Sequence, residues 1–344
     1  MNRPGGEALE ILLERRDLSE SAAYDLLISL TDPSMPSAMT GALLAALRIK
    51  GATAGEVRGF ARAMRSLARQ PRIPAGTPIV DVVGTGGDGS GSLNLSTGSA
   101  LLAAACGMRV AKHGNRSVSS RCGSADVLEA LGLPLPLDEN AGADCLERSG
   151  FTFLFAPHYH PAMKAIAPVR AALGVRTIFN LLGPLANPAQ APYAVIGAWS
   201  LEIARLMAET LAGMPIARMF VVYGDCGWDE PTPAAPFTHF DVRPGSVVES
   251  RRSAEDFGLP ACRLDELTGG DAAHNARRLA AVLRGQERGG HRDALVMGAA
   301  LVAEVTGTVQ DARSGVALAA AAIDDGRAAR LLDSLTAGAG LRRA

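Results

Sequence analysis

Through the first seventy residues apolar side chains recur every three or four positions, over Glu7–Arg16, Glu20–Leu30, Pro36–Arg48 and Ala54–Leu67. That spacing predicts four amphipathic helices separated by short turns such as Thr31-Asp32-Pro33. Ser66–Pro78 then becomes rich in Arg, Pro and Gly, which suits a linker. Beyond it the period changes. Short β-branched or apolar runs predict strands at Ile79–Val83, Met108–Ala111, Phe151–Phe155, Ala194–Ala198 and Met219–Tyr223. Helical stretches fall between them, at Thr97–Cys106 and Ser124–Leu131 among others, and an Ala-rich helical tail begins at Asp271. Strands alternating with helices predict an α/β fold with a mostly parallel central sheet, beside a small N-terminal helical domain. The expected boundaries are 1–70 for the helical domain and 71–344 for the α/β domain, with a return to the helical domain around 165–185.

Composition excludes several classes. Hydrophobic residues are 48% of the 344, charged residues 20%, and the formal net charge is −1, which describes a folded globular chain. Near-neutral charge and 4% aromatic residues supply neither the basic surface nor the stacking platforms of a nucleic-acid binder. Apolar stretches such as Ala294–Val305 fall short of the roughly 18–20 residues a bilayer span needs. Charges interspersed along Met1–Leu18 leave no apolar signal core. No nucleic acid and no membrane partner is therefore expected, and the reading is a cytoplasmic protein. Cys106, Cys122, Cys145, Cys226 and Cys262 are widely spaced without a CxxC pair, as free thiols of a reducing compartment are. Lys50, Lys112 and Lys164 are the only lysines among 34 basic residues, so a lysine inside a motif stands out. Lys50 reads as a solvated surface lysine.

Three segments carry candidate chemistry. In the first, a strand from Asp81 runs into Gly84-Thr-Gly-Gly-Asp88 and on through Ser92 to Asn94-Leu-Ser-Thr97 at a helix start. Glycines let backbone amides approach an anion, and a helix N-terminus adds partial positive charge. Gly84-x-Gly86-x-x-Gly89 also fits the dinucleotide fingerprint, but no Asp or Glu lies between Asp88 and Asp126 to hold a ribose. The second, Lys112-His-Gly-Asn-Arg-Ser-Val-Ser-Ser120 followed by Gly123-Ser124, also follows a strand and makes a second anion cradle. The third, Asp229-Glu230 beyond the strand Met219–Tyr223, suits Mg²⁺, which takes one or two carboxylates together with substrate phosphates. His158-x-His160 has no evident third metal ligand and reads, with its flanking prolines and Met163, as a loop lining a pocket for something flat. Arg170 follows a helix later, where its fork can meet a carboxylate.

Together these motifs resemble those of the anthranilate phosphoribosyltransferase family. The resemblance rests on Gly84–Asp88, Asn94–Thr97, Lys112–Arg116, Gly123–Glu129, His160–Lys164, Arg176–Leu185 and Asp229–Glu230, and spans nearly the whole chain to Asp271–Ala276. It implies a Mg²⁺-dependent glycosyltransferase of tryptophan biosynthesis that joins the phosphoribosyl group of phosphoribosyl pyrophosphate (PRPP) to the amine of anthranilate. It implies PRPP contacts from Gly84, Gly87, Asp88, Ser92, Asn94, Leu95, Ser96 and Thr97, then from Lys112, His113, Gly114, Asn115, Arg116, Ser117, Val118, Ser119, Ser120 and Ser124. Anthranilate is implied near Gly84, His113, Asn115, Pro157, His160, Met163 and Arg170, and two Mg²⁺ ions near Ser96, Asp229 and Glu230, with Lys112 catalytic. It further implies a homodimer formed through the helical domain. Some positions depart from the family pattern: Ser92 for Thr, Trp228 and Pro231 around the acidic pair, His274 for an acidic residue, and Gly298 for Asn. Those departures leave open a paralogue that uses another aromatic amine; a nucleoside phosphorylase and a non-catalytic PRPP-binding regulator are the remaining alternatives.

Overall fold

The computed structural model describes residues 5–74, 76–117 and 121–340. Its first helices are α1 (Gly6–Leu13), α2 (Glu20–Leu30), α3 (Ser37–Lys50) and α4 (Ala54–Ser66). Ser19 caps α2 by accepting the Ala22 amide, and Thr53 with Glu56 forms a capping box at α4. The α1 helix ends three residues before the expected Arg16, where Arg15 takes a left-handed φ of 57°. Glu56 does more than cap. Its carboxylate, fully enclosed, also accepts the Leu18 amide at 2.9 Å and the Lys50 ammonium at 2.9 Å. Lys50 is therefore not the solvated lysine expected: its side chain is covered, bridging the enclosed Glu56 to exposed Asp17, because a buried cap carboxylate needs a counter-charge.

The rest of the chain runs β1 (Ile79–Gly84), α5 (Leu95–Ala105), β2 (Arg109–Gly114), α6 (Ser124–Ala130), α7 (Glu139–Ser149) and β3 (Phe151–Phe155). It continues through α8 (Ala156–Tyr159), α9 (Ala167–Leu173), α10 (Phe179–Leu185), β4 (Tyr193–Gly197), α11 (Leu201–Ala212) and β5 (Arg218–Gly224). A hairpin of β6 (Phe237–Arg243) and β7 (Ser246–Arg252) follows, then α12 (Ala272–Leu283), α13 (Gly290–Val305), α14 (Ala312–Asp324) and α15 (Arg327–Gly340). The sheet order is β3-β2-β1-β4-β5-β6-β7, parallel through β5 and antiparallel beyond it. The β6–β7 pair is absent from the sequence reading. Every residue of β7 except Arg252 is exposed, so this edge strand carries no apolar signature.

Alternation along the parallel strands divides the core. Val80, Val82, Val195, Phe220 and Val222 face a cluster built on α5, α12 and α13. Val83, Ala194, Ile196, Met219 and Val221 face a second cluster that contains Leu43 and Phe60 of the N-terminal helices, with Ile166, Ile178 and Phe179. Both faces are covered, so β3, β4 and β5 read as mostly apolar runs, while the buried polar groups of β1 and β2 (Asp81, Lys112 and His113) gather near the crevice. The chain moves outward from β1 to β3, then crosses back to β4. Strand order therefore reverses between β1 and β4, the place where α/β sheets open a crevice at their carboxyl ends. No helix among the described residues is long and apolar enough to cross a membrane.

Candidate active site

A cavity of about 670 Å³ opens at that crevice. Its floor is the loop after β1, where Gly86 and Gly87 take φ of 66° and 73°. The Gly86 amide donates to Asp229 Oδ2 at 2.6 Å, and Asp88 accepts the Asp229 amide at 3.2 Å. One turn further on, the Ser96 amide at the start of α5 donates to Glu230 Oε1 at 2.9 Å. The acidic pair is thereby seated against both anion-binding features of the first motif. Bare backbone makes this possible: a Cβ on Gly84 would lie 2.5 Å from Asp229 Oδ2, and one on Gly197 would lie 1.5 Å from the Asp229 carbonyl. Trp228 is buried in the core and its carbonyl accepts the Gly224 amide at 2.9 Å, which fixes the turn that presents the pair.

The electrostatics of the pair call for a cation. Burial lifts both carboxyl groups well above the usual range; Asp88 adds to the rise at Asp229, and Asp229 adds to it at Glu230. Glu230 Oε2 is enclosed with no hydrogen-bond partner among the described residues. Two adjacent acids with an idle buried oxygen, facing a helix start, fit a hard divalent ion that completes its shell with water or phosphate.

On the second cradle, Lys112 is buried, with its ammonium donating to the Val82 carbonyl and lying 3.5 Å from Ser96 Oγ. Burial pulls the ammonium's pKa down, while Asp81, Glu230 and Asp229 oppose the fall. Asp81 in turn accepts the His113 amide at 3.1 Å and Asn187 Nδ2 at 2.8 Å. His113 Nδ1 lies 3.1 Å from the Gly183 carbonyl, and its ring meets that of His160 edge-on at 5.1 Å. Burial pushes His113 down to about 3 and His160 to about 4, so both are neutral imidazoles at physiological pH.

The cavity wall contains most of the residues singled out from the sequence: Gly84, Gly87, Asp88, Ser92, Asn94, Ser96 and Thr97 on one side, Lys112–Asn115 and Ser124 on the other, with Asp229 and Glu230 between. Others sit elsewhere. Leu95 belongs to the core. Arg116 turns outward to Glu129 and Asp126, and the Ser117 amide donates to Asp126 at 3.0 Å. Val118, Ser119 and Ser120 lie outside the described residues. Pro157, His160, Met163 and Arg170 are not on this wall; His160 connects to it through His113, and the Arg170 guanidinium lies 5.2 Å from the Phe179 ring centre. The sequence reading missed Thr268 and Gly270, which close the cavity from the loop before α12. That loop is stitched down by the Gly269 amide donating to the Gly91 carbonyl at 2.8 Å and by an Asn275–Asn94 bond of 2.9 Å. The glycine pair ahead of the Asp271 cap was its available signal.

A model of the glycosyl transferase family α/β domain matches residues 76–329, and one of that family's helical bundle domain matches residues 6–68. An anthranilate phosphoribosyltransferase of Chloroflexus aurantiacus is 42% identical over 332 residues, 96% of this chain and 97% of the relative. The chain belongs to the anthranilate phosphoribosyltransferase family. Among solved anthranilate phosphoribosyltransferases, that of Thermus thermophilus is 41% identical, with a TM-score of 0.90 covering 96% of this chain and 99% of the other. The Saccharomyces cerevisiae enzyme in complex with PRPP and Mg is 26% identical, with a TM-score of 0.89 covering 99% of each chain. The small helical domain and the larger α/β domain expected from the sequence are those of this family.

Proposed function

We propose that this protein transfers the phosphoribosyl group of PRPP to the amine of anthranilate, forming N-(5-phosphoribosyl)anthranilate and pyrophosphate in tryptophan biosynthesis. What carries the reading is one cavity that joins two anion cradles to a paired carboxylate, in a chain 42% identical to an anthranilate phosphoribosyltransferase over nearly its full length.

In this reading the loop Gly84–Asp88 and the start of α5 hold the pyrophosphate through amides other than those of Gly86 and Ser96, which serve the acidic pair, with Ser92 and Asn94 beside it. Lys112, Asn115 and Ser124 face them across the cavity, and the hydroxyls of Ser117, Ser119 and Ser120 are the further phosphate donors that the family resemblance implies. Asp229, Glu230 and Ser96 would hold Mg²⁺, two ions in all. Bound there, Mg²⁺ offsets the charge that develops on the leaving pyrophosphate. The fixed amides and the Lys112 ammonium act on the same charge, and they need no reorganisation during reaction. As the ribose C1–O bond breaks, its electron pair leaves with pyrophosphate; the aniline nitrogen forms the C1–N bond with its lone pair and then gives up its proton to solvent water. A neutral aniline is nucleophilic without a strong base, so His113 and His160, both neutral, orient the acceptor rather than ionise it. Pro157 and Met163 flank the ring and Arg170 takes its carboxylate, which leaves positioning as the acceptor side's main contribution. The helical domain, 1–70, pairs two chains and the α/β domain, 71–344, carries the chemistry.

Incubation with PRPP, Mg²⁺ and anthranilate tests this: anthranilate should be consumed in step with pyrophosphate release. Turnover only with another aromatic amine would reassign the acceptor, and turnover only with a nucleoside and phosphate would overturn the transferase reading. Light scattering should give twice the chain mass; a monomer would remove the dimer.

A further inference from the structure

Between α9 and α10 lies an arginine that the cavity wall does not include, yet that touches three parts of the molecule. The Arg176 guanidinium donates to the Gly87 carbonyl in the loop after β1. Its flat face covers the Trp199 indole, 4.5 Å from the ring centre, just beyond the end of β4. Its own carbonyl accepts a bond from Arg48 of α3. The two sheet-borne partners are already close neighbours, since Thr85 donates to the Gly197 carbonyl at 3.0 Å. The loop it grips needs a restraint: Gly86, Gly87, Gly89 and Gly91 all take positive φ, where glycine is freest in the unbound chain. The fit at the grip is close, for a Cβ on Gly87 would lie 3.2 Å from the guanidinium.

We propose that Arg176 is a positioning residue for the donor: stacked on Trp199 and anchored to α3, it holds the Gly87 carbonyl outward so that the loop amides face the cavity before PRPP arrives. The inference rests on the reading of this loop as the pyrophosphate cradle. A pre-formed cradle binds more tightly because less disorder is lost on binding. The side chain's hydrogen bond goes to Gly87, which is outside the implied acceptor set, so the acceptor's constant should hold.

Arg176→Met keeps an apolar stem over Trp199 and removes the donor; Arg176→Lys keeps the charge but cannot stack and reach Gly87 together. Calorimetric titration with PRPP and Mg²⁺ should show roughly tenfold weaker binding for Arg176→Met and incomplete recovery with Arg176→Lys. The KM for PRPP should rise in parallel, the KM for anthranilate should hold, and amide hydrogen exchange over residues 84–91 should quicken in the unliganded variant. If Arg176→Met does not fold, Trp199→Leu, which removes the stacking face and leaves the arginine, carries the same measurements. Unchanged PRPP binding and loop exchange in a folded variant, or a rise confined to the anthranilate constant, would overturn the proposal. Failure of the unaltered protein to bind PRPP would instead refute the functional reading beneath it.

Discussion

The Gly86 amide and the Asp229 carboxylate, 143 residues apart in sequence, meet at 2.6 Å. The first motif's loop and the third motif's acid are therefore one object: whatever draws Asp229 toward a cation also acts on an amide of the phosphate cradle. Metal capture and donor capture are mechanically joined at this bond.

The acidic pair should reveal itself through stability. Both carboxyl groups are lifted by burial, so each is held ionised at a cost above its folded pKa, and the cost falls away as pH drops through that value. Glu230→Gln or Asp229→Asn should raise the thermal midpoint at pH 8 without metal by about 2–4 °C. Added Mg²⁺ should stabilise the unaltered protein and leave the variants unmoved, while their turnover falls. Scanning fluorimetry with and without Mg²⁺ decides it; a variant still stabilised to the same degree excludes that residue as a ligand.

The three lysines should separate by role. Lys112→Ala should weaken PRPP binding by roughly ten- to hundredfold, the range for losing a charged contact of about 1.5–3 kcal/mol. Lys164, exposed on the turn after His160, is the silent control. Lys50→Ala strands the enclosed Glu56 and should cost about 3 kcal/mol of stability with the PRPP constant unchanged. Denaturant midpoints beside PRPP titrations test all three, and equal effects on PRPP from Lys112 and Lys164 would make Lys112 a bystander.

Much of this architecture was legible because it rests on local rules. Glu20–Leu30 and Phe151–Phe155 are found with the expected boundaries, since a Ser cap and a short run rich in Phe mark them. Helix α5 begins at Leu95 rather than Thr97, so Ser96 offers its backbone amide as well as its hydroxyl. Strand β7 left no trace because an exposed edge strand needs no apolar face, whereas β6 carries buried Phe237, Phe240 and Val242 but breaks its apolar pattern with Thr238, His239 and Asp241. Lys50 was misread because its partner Glu56 looks, in sequence, like an ordinary capping residue. The outward turn of Arg116 depends on Glu129 arriving one helix later, a pairing that spacing alone does not impose.

Arg170 should govern the acceptor and not the donor. Its guanidinium is parked on Phe179, half-buried, beside the elements that carry His160 and Met163. Arg170→Ala should raise the KM for anthranilate by roughly ten- to hundredfold, the loss of a charged hydrogen bond, while the KM for PRPP moves little. Initial rates with each substrate varied in turn give both constants; the reverse pattern would displace the acceptor pocket from this helix.

His239 offers a pH test far from the chemistry. It is buried against Phe220, 3.2 Å from Ser250 Oγ, and burial lowers it from 6.5 to about 4, with Arg252 next in effect. Below pH 6.5 the unfolded chain takes up a proton that the folded one refuses, so this residue's contribution is intact above 6.5 and is lost as pH falls toward 4. His239→Gln should flatten the decline by about 1.4 kcal/mol per pH unit in that window. Urea midpoints at pH 7.5 and 5.0 for both proteins measure it, and parallel declines would show that His239 takes its proton while folded.

Gly197, finally, limits how this site can evolve. With the Asp229 carbonyl 1.5 Å from where its Cβ would stand, any side chain there collides with backbone, and no neighbouring side chain can swing aside to make room. Descendants of this sequence inherit the strand edge beneath the acids as a fixed point. Divergence in what the cavity accepts has to enter from its other walls, at positions such as Ser92, Ser124 and the turn around Thr268, where one substitution alters shape without erasing the seat of the carboxylates.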